Sequence, residues 1–209
     1  MARILAIADE VDESLYGDKL RRLRPDIIVS CGDLPYGYLD NLVSRANVPL
    51  VYVPGNHDPD LTTAKWLAKP YDEPSGPPGG ENADGRILQL AGLRIAGLGG
   101  SLRYNLGPNQ YTQGEMRLRA LSLETKLRLK RTLRGGRLDL LVAHAPPLGT
   151  GDGDDPAHQG FAAFHRLIAR MTPRILIHGH IHPDGLHHAD RRLGSTDIVN
   201  VVPSRLLEL

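Results

Sequence analysis

The sequence predicts an α/β fold, and three features of the chain point to it. Short continuous apolar runs recur along its length, such as Arg3-Ile-Leu-Ala-Ile-Ala8 and Leu138-Asp-Leu-Leu-Val-Ala143. Runs of this kind belong to strands covered on both faces. Stretches with helical spacing of leucines stand between many of them. Finally, five runs stop at polar residues that can bind ligands: Asp9, Gly32-Asp33, Gly55-Asn56-His57-Asp58, His144 and Gly179-His180-Ile181-His182.

Length and composition bound the answer. A chain of 209 residues can bury one sizeable core, and residues 1–209 read as a single domain. Hydrophobic residues make up 41% and charged residues 23%, the balance of a soluble globular protein. A net charge of +1 supplies no field that would draw in nucleic acid or a membrane surface. Cys31 is the only cysteine, which excludes an intrachain disulfide framework. No run approaches the ~20 apolar residues of a membrane helix. The amino-terminal run is too short for a signal peptide and lacks a small-residue cleavage site, so a cytoplasmic protein is expected.

The elements follow in order. Residues 2–8 form the first strand; a helix from about 14 to 24, with Leu15, Leu20 and Leu23 on one face, is stopped by Pro25. Residues 26–31 and 49–53 are strands, 38–45 and 61–69 helices. Residues 70–85, rich in Pro and Gly, read as one long surface loop without helix or strand, of the kind that often covers an active site. Strands 86–90 and 93–98 form a hairpin through Ala91-Gly92. Residues 112–133 are helical, with Leu118, Leu121, Leu129 and Leu133 available for a buried stripe. The many basic residues of this helix read as a solvated face, because no aromatic residues are interleaved to stack on bases. Strand 138–143, helix 158–170, strand 174–178 and a closing strand 197–202 complete the chain. The Gly/Asp loop 148–155 superficially looks like a calcium loop, but it fails the twelve-residue spacing and lacks the closing Glu.

In sheets with crossover helices, the carboxyl ends of strands line the ligand crevice. The polar strand ends therefore aim Asp9, Asp33, Asn56, His57, Asp58, His144, His180 and His182 at one place. Carboxylates, an amide oxygen and imidazoles are a borderline-to-hard donor set suited to manganese, iron, zinc or nickel. Two ions about 3.5–4 Å apart need a bridging carboxylate, and Asp33 is the natural one. The other histidines fall outside this set. His178, His158 and His165 read as structural, His187 and His188 as surface residues, and Cys31 as a small core residue.

In their order along the chain these motifs resemble the calcineurin-like metallophosphoesterases. The family pattern is Asp-x-His, Gly-Asp, Gly-Asn-His-Asp/Glu, a lone His, and Gly-His-x-His. The match spans residues 9 to 182, and the segment from His144-Ala-Pro-Pro through Gly179-His-Ile-His182 is similar to a small phosphodiesterase branch of the family. The resemblance implies a four-layer α/β/β/α sandwich with two mixed sheets, and two divalent metal ions. One ion would be held by Asp9, Asp33 and His182, the other by Asp33, Asn56, His144 and His180. A hydroxide between the ions would attack phosphorus. His57, oriented by Asp58, would stabilise developing charge or protonate the leaving oxygen.

At one position the chain departs from the family. Asp9-Glu10-Val11 stands where Asp-x-His is expected, and valine binds no metal. Strand alternation points Glu10 away from Asp9, which leaves Asp12 or Glu13 as carboxylate substitutes, directly or through water. A weakly held first ion completed by water and a single-metal protein are the other outcomes. The functional expectation is a metal-dependent phosphoesterase acting on a small phosphodiester. A nuclease of the same family, and a binding or scaffold module with an impaired first site, are the alternatives.

Overall fold

The computed structural model describes residues 1–59, 76–134, 137–182 and 189–209, with side chains of 130–134 excepted. Its strands, in chain order, are β1 (Arg3–Ile7), β2 (Ile27–Ser30), β3 (Leu50–Tyr52), β4 (Gly80–Asn82), β5 (Ile87–Leu90), β6 (Leu93–Leu98), β7 (Ser101–Leu102), β8 (Gln110–Tyr111), β9 (Leu140–Ala143), β10 (Ile175–His178), β11 (Arg191–Leu193), β12 (Thr196–Asn200) and β13 (Ser204–Glu208). The helices are α1 (Lys19–Leu23), α2 (Tyr36–Ala46), α3 (Gln113–Arg134) and α4 (Ala163–Met171), with a 3-10 turn at Glu13–Tyr16.

Two mixed sheets face each other. The first has the order β13-β1-β2-β3-β4, parallel except for β13 against β1. The second has the order β11-β12-β10-β9-β6-β5, parallel in its middle and antiparallel at both edges. The two-residue period of a strand sorts its side chains into two cores. Ile4, Ala6, Ile27 and Val29 from the first sheet meet Leu140, Val142, Ile175 and Ile177 from the second. Leu5, Ile7 and Ile28 point the other way, onto Leu15, Leu20, Leu39 and Leu42 of the helical layer. Leu141, Ala143 and Leu176 point outward onto Met116, Leu123, Leu127, Phe164 and Leu167 of α3 and α4. Both central strand pairs are thus covered on each face, which is why they read as unbroken apolar runs. The layers are helix, sheet, sheet, helix.

Several elements differ from the sequence expectation, each for a local reason. The helix expected over 14–24 is split: Gly17 closes the 3-10 turn, and α1 follows until Arg24 turns left-handed at φ +43. The loop expected over 70–85 contains β4, which pairs in parallel with β3 through Leu50↔Gly80 and Tyr52↔Asn82. Gly80-Glu81-Asn82 carries no apolar signal, so this strand is specified by its neighbour rather than by its own residues. The helix expected over 61–69 lies outside the described residues. The helix expected from 158 starts at Ala163. The expected closing strand is β12, but the chain continues through Val201 and Val202 into the other sheet, where β13 pairs along β1.

The buried stripe of α3 is also corrected. Met116, Ala120, Leu123 and Leu127 face the sheet, whereas Leu118 and Leu129 are 69% and 62% exposed. Leu121 is half-buried and the side chain of Leu133 lies outside the described residues, while the stripe is built partly from Met and Ala at helical spacing. Among the described residues no helix is long and apolar enough to cross a membrane.

This register makes a prediction for stability. Leu123→Ala should lower the unfolding free energy by about 2–4 kcal/mol, and Leu118→Ala should change it by no more than about 0.5 kcal/mol, measured by denaturant titration. Equal losses would overturn the assigned face.

Candidate metal centre

The parallel strands β1, β2 and β3 of one sheet and β9 and β10 of the other end at the same edge of the sandwich, and their carboxyl-end turns meet there. Backbone contacts stitch the two sets together. Between the sheets, the Asp9 carboxylate accepts the His180 N–H at 2.9 Å; within the first sheet's set, the Asp33 carboxylate accepts the His57 N–H at 2.8 Å. His144 reaches from the second sheet to the carbonyl of Cys31 in the first, at 2.8 Å.

The turns themselves are unusual. Asp9 has φ +60, and Glu10 N–H closes back on Ala8 O at 2.6 Å. His180 has φ +65, and Ile181 N–H closes on Gly179 O at 2.8 Å. A positive φ with an i→i+2 bond is the strained form of the γ-turn, which non-glycine residues adopt only when the surroundings hold them there. Asp33 is likewise left-handed at φ +59. The glycines beside these residues are required by close approach. A Cβ on Gly55 would lie 2.0 Å from Asp33 Oδ1, and one on Gly179 would lie 2.1 Å from Asp9 Oδ2.

The donor geometry is clearest at His144, which is fully buried. Its Nδ1 faces the Cys31 carbonyl, an acceptor only, so Nδ1 carries a hydrogen. Its Nε2 faces Asn56 Oδ1 at 2.9 Å and Asp33 Oδ2 at 3.3 Å. The Asn56 amide is oriented by its own donor, since Nδ2 gives a hydrogen bond to the Tyr104 hydroxyl at 3.1 Å. Three electron pairs therefore point at one another from Nε2 and two oxygens. Such a cluster needs a positive charge at its centre, either a proton on Nε2 or a cation. His180 is arranged by the same device: its Nε2 faces the Ala157 carbonyl at 2.8 Å, which leaves Nδ1 as the free donor. Its ring stands 4.8 Å from that of His144. Donor atoms of Asp9, His144 and His180 all lie within 4.8 Å of one another.

The proton affinities express the same crowding. Burial works against a charged His144, but the hydrogen bond and charge of Asp33, with the charge of Asp9, push it up to about 9. Burial would raise Asp33, yet the His144 contact and the His57 N–H hold it below the usual carboxylate value. Asp9 moves up, chiefly through burial. His180 is pushed down to about 3, by burial and then by the charge of His144. A site that raises one imidazole and lowers its neighbour has room for one positive charge at a time when only protons are available. The donor types, their convergence and the forced tautomers fit divalent cations.

Other expected site residues occupy distinct places. The Asp58 carboxylate accepts the backbone N–H groups of Gly55 and Asp33, at 2.8 and 2.9 Å, and so ties two strand-end turns together. Among the described residues no hydrogen bond joins it to the ring of His57, which is exposed and lines a pocket of about 420 Å³ with Asp33, Tyr36 and Asp58. His182 is half exposed and meets Glu10, with Nδ1 2.7 Å from Oε1. Asp12 takes no part: its carboxylate caps the 3-10 turn and binds Lys19 at 2.8 Å and Ser204 at 2.5 Å. Burial opposes its ionisation, but Lys19, Ser14 and Ser204 lower it to about 2.

Three residues of the site carry no motif in the sequence. Asn109 donates from one amide nitrogen to the carbonyls of Gly55 and Asp58, both at 3.0 Å, clamping the turn that presents Asn56. Tyr104 fixes the Asn56 amide, as described. Both lie in the polar loop between β7 and β8, where only the structure shows what they touch. Glu10 is the third, because the expectation that it points away assumed an extended strand through Asp9.

Comparison with known proteins places the chain in a class. Residues 3–184 match the family model of calcineurin-like phosphoesterases, and the chain belongs to that family. The membership carries with it metal-dependent hydrolysis of phosphoesters. One solved structure aligns with a TM-score of 0.63 at 19% identity, covering 95% of this chain and 90% of that chain. TT1561 of Thermus thermophilus aligns with a TM-score of 0.62 at 19% identity, covering 95% and 88%. At that identity the likeness concerns the fold. No curated protein matches the chain at a significant level.

Cation binding should be pH-dependent in a defined direction. A cation must displace the proton held on His144, whose raised value is about 9. Apparent affinity for Mn should therefore rise by about tenfold per pH unit below that value and level off above it, measured by isothermal titration. A flat profile across neutral pH would show that this proton and the cation do not compete.

Proposed function

We propose that the chain hydrolyses a small phosphodiester at the edge where the two sheets meet, with two divalent cations held by Asp9, Asp33, Asn56, His144, His180 and His182. The observation that carries the reading is the buried convergence of His144 Nε2, Asn56 Oδ1 and Asp33 Oδ2, three electron pairs directed at one point. Bound there, such cations would supply Lewis acidity toward phosphoryl oxygens and lower the pKa of water to about 7.

The remaining work falls to the chain's own groups. Asp33, held by the His57 N–H and close to His144, would serve both cations. His57 stands exposed at the pocket and can hand a proton to the leaving oxygen, while the hydrogen bond from its backbone to Asp33 fixes where the ring starts. Asp58 and Asn109 keep the turn closed, so that His57 and Asn56 move together with Asp33. Tyr36 gives the pocket an aromatic wall, and its hydroxyl is buried without a hydrogen-bond partner among the described residues. Burial, then the charge of Asp58, keeps that hydroxyl protonated.

The described lining favours a diester. It is made of Asp33, Leu34, Pro35, Tyr36, His57, Asp58 and Pro59. Its apolar and aromatic wall suits the second ester group. The pocket of about 420 Å³ fits a ligand of nucleotide size, and a net charge of +1 offers no broad attraction for long nucleic acid.

Mn-loaded protein should hydrolyse an aryl phosphodiester with higher kcat/KM than the matching monoester. Asp33→Asn and His144→Ala should each lower the diester rate by at least about 100-fold. Equal turnover in all three proteins sinks the assignment, and faster monoester hydrolysis rejects the diester preference.

A further inference from the structure

Resting on the dinuclear reading above, the geometry points to Glu10 as a ligand of the first cation, in place of the imidazole that the family pattern puts at position 11. Val11 cannot serve, and it packs instead against the helix-side core of the first sheet. What brings Glu10 round is the γ-turn at Asp9. In an extended strand, successive side chains would diverge. With φ +60 at Asp9 and the Glu10 N–H closed on Ala8 O, the chain reverses its facing, and Glu10 emerges toward β10. There its Oε1 lies 2.7 Å from Nδ1 of His182, a residue delivered by the matching γ-turn at His180.

This contact joins residues from two different sheets, 172 positions apart in the chain. The side chains of Glu10 and His182 are 52% and 55% exposed, and an ion pair that open is worth little by itself. Its spacing is that of neighbours around a common cation. Donors at right angles, each about 2.0–2.2 Å from an ion, stand about 3 Å apart. The donor pairs of the second site already show this spacing, with His144 Nε2 2.9 Å from Asn56 Oδ1 and 3.3 Å from Asp33 Oδ2. The Glu10–His182 pair shows a similar spacing. Of the two carboxylates that follow Val11, Asp12 is already spent on Lys19, Ser14 and Ser204, and Glu13 is an exposed residue opening the 3-10 turn.

The consequence is a change in chemistry at the first site. Asp9, Glu10, Asp33 and His182 make three carboxylates and one imidazole, a harder set than one with a second imidazole. Harder sets favour Mn, Mg or Fe over Zn. The first cation should therefore be more Mn-selective than the second, which keeps two imidazoles and an amide.

The test is isothermal titration of metal-free protein with Mn, with bound metal counted after desalting. Wild type should take up two ions per chain. Glu10→Ala and Glu10→Gln should each weaken the first ion by about 10–100-fold and leave the second within threefold. The glutamine variant separates two roles, because its amide oxygen still accepts from His182 but supplies no charge. If Glu10→Gln binds like wild type while Glu10→Ala does not, an uncharged oxygen suffices at this position, and the carboxylate role with its Mn preference is overturned. Glu10→His should shift the preference of the first ion from Mn toward Zn, and Glu13→Gln should change nothing. Two ions bound equally by wild type and both Glu10 variants would reject the inference while leaving the dinuclear reading intact. Fewer than two ions in wild type would reject both.

Discussion

His144, fully buried, is pinned by a backbone carbonyl on one side and faces two oxygen acceptors on the other. Electron pairs gathered at such distances in a low-dielectric interior repel unless a positive charge sits among them. Much of the surrounding structure serves to keep them gathered. Tyr104 fixes the Asn56 amide, Asp58 ties the turn bearing Asn56 to the turn bearing Asp33, and Asn109 closes that turn from outside. A cation bound at this point would relieve the tension built into the cluster.

The two-sheet architecture makes that gathering feasible. Each sheet alone would present only part of the set: Asp9, Asp33 and Asn56 from one, His144, His180 and His182 from the other. Packing of Ile4, Val29, Val142 and Ile177 between the sheets brings the two partial sets edge to edge. Left-handed backbone at Asp9, Asp33 and His180 then turns the side chains inward, at a cost of order 1–3 kcal/mol each that the packed strands beneath must sustain.

The fold class and the order of donors were legible in the sequence for a common reason. A buried parallel strand leaves a continuous apolar run, and a run that ends abruptly in Asp, Asn or His marks a place where chemistry displaces packing. What escaped notice depends on tertiary context. β4 has no apolar residue of its own and exists because β3 offers it an edge. The inward face of α3 uses Met116 and Ala120, which are less conspicuous than the exposed Leu118 and Leu129. Asn109 and Tyr104 are ordinary loop residues until the turn they hold is seen. Glu10 was assigned to the wrong side because a two-residue period was carried one position too far, into a γ-turn.

The γ-turns at Asp9 and His180 also separate two tasks that a straight strand would merge. Strand interiors settle where the turns are aimed, while the turns settle which atom arrives. A donor could thus migrate by one position along the polypeptide while the strand interiors keep their packing. Architectures of this kind leave the choice of metal open to small local changes at their rim, while the framework beneath stays fixed.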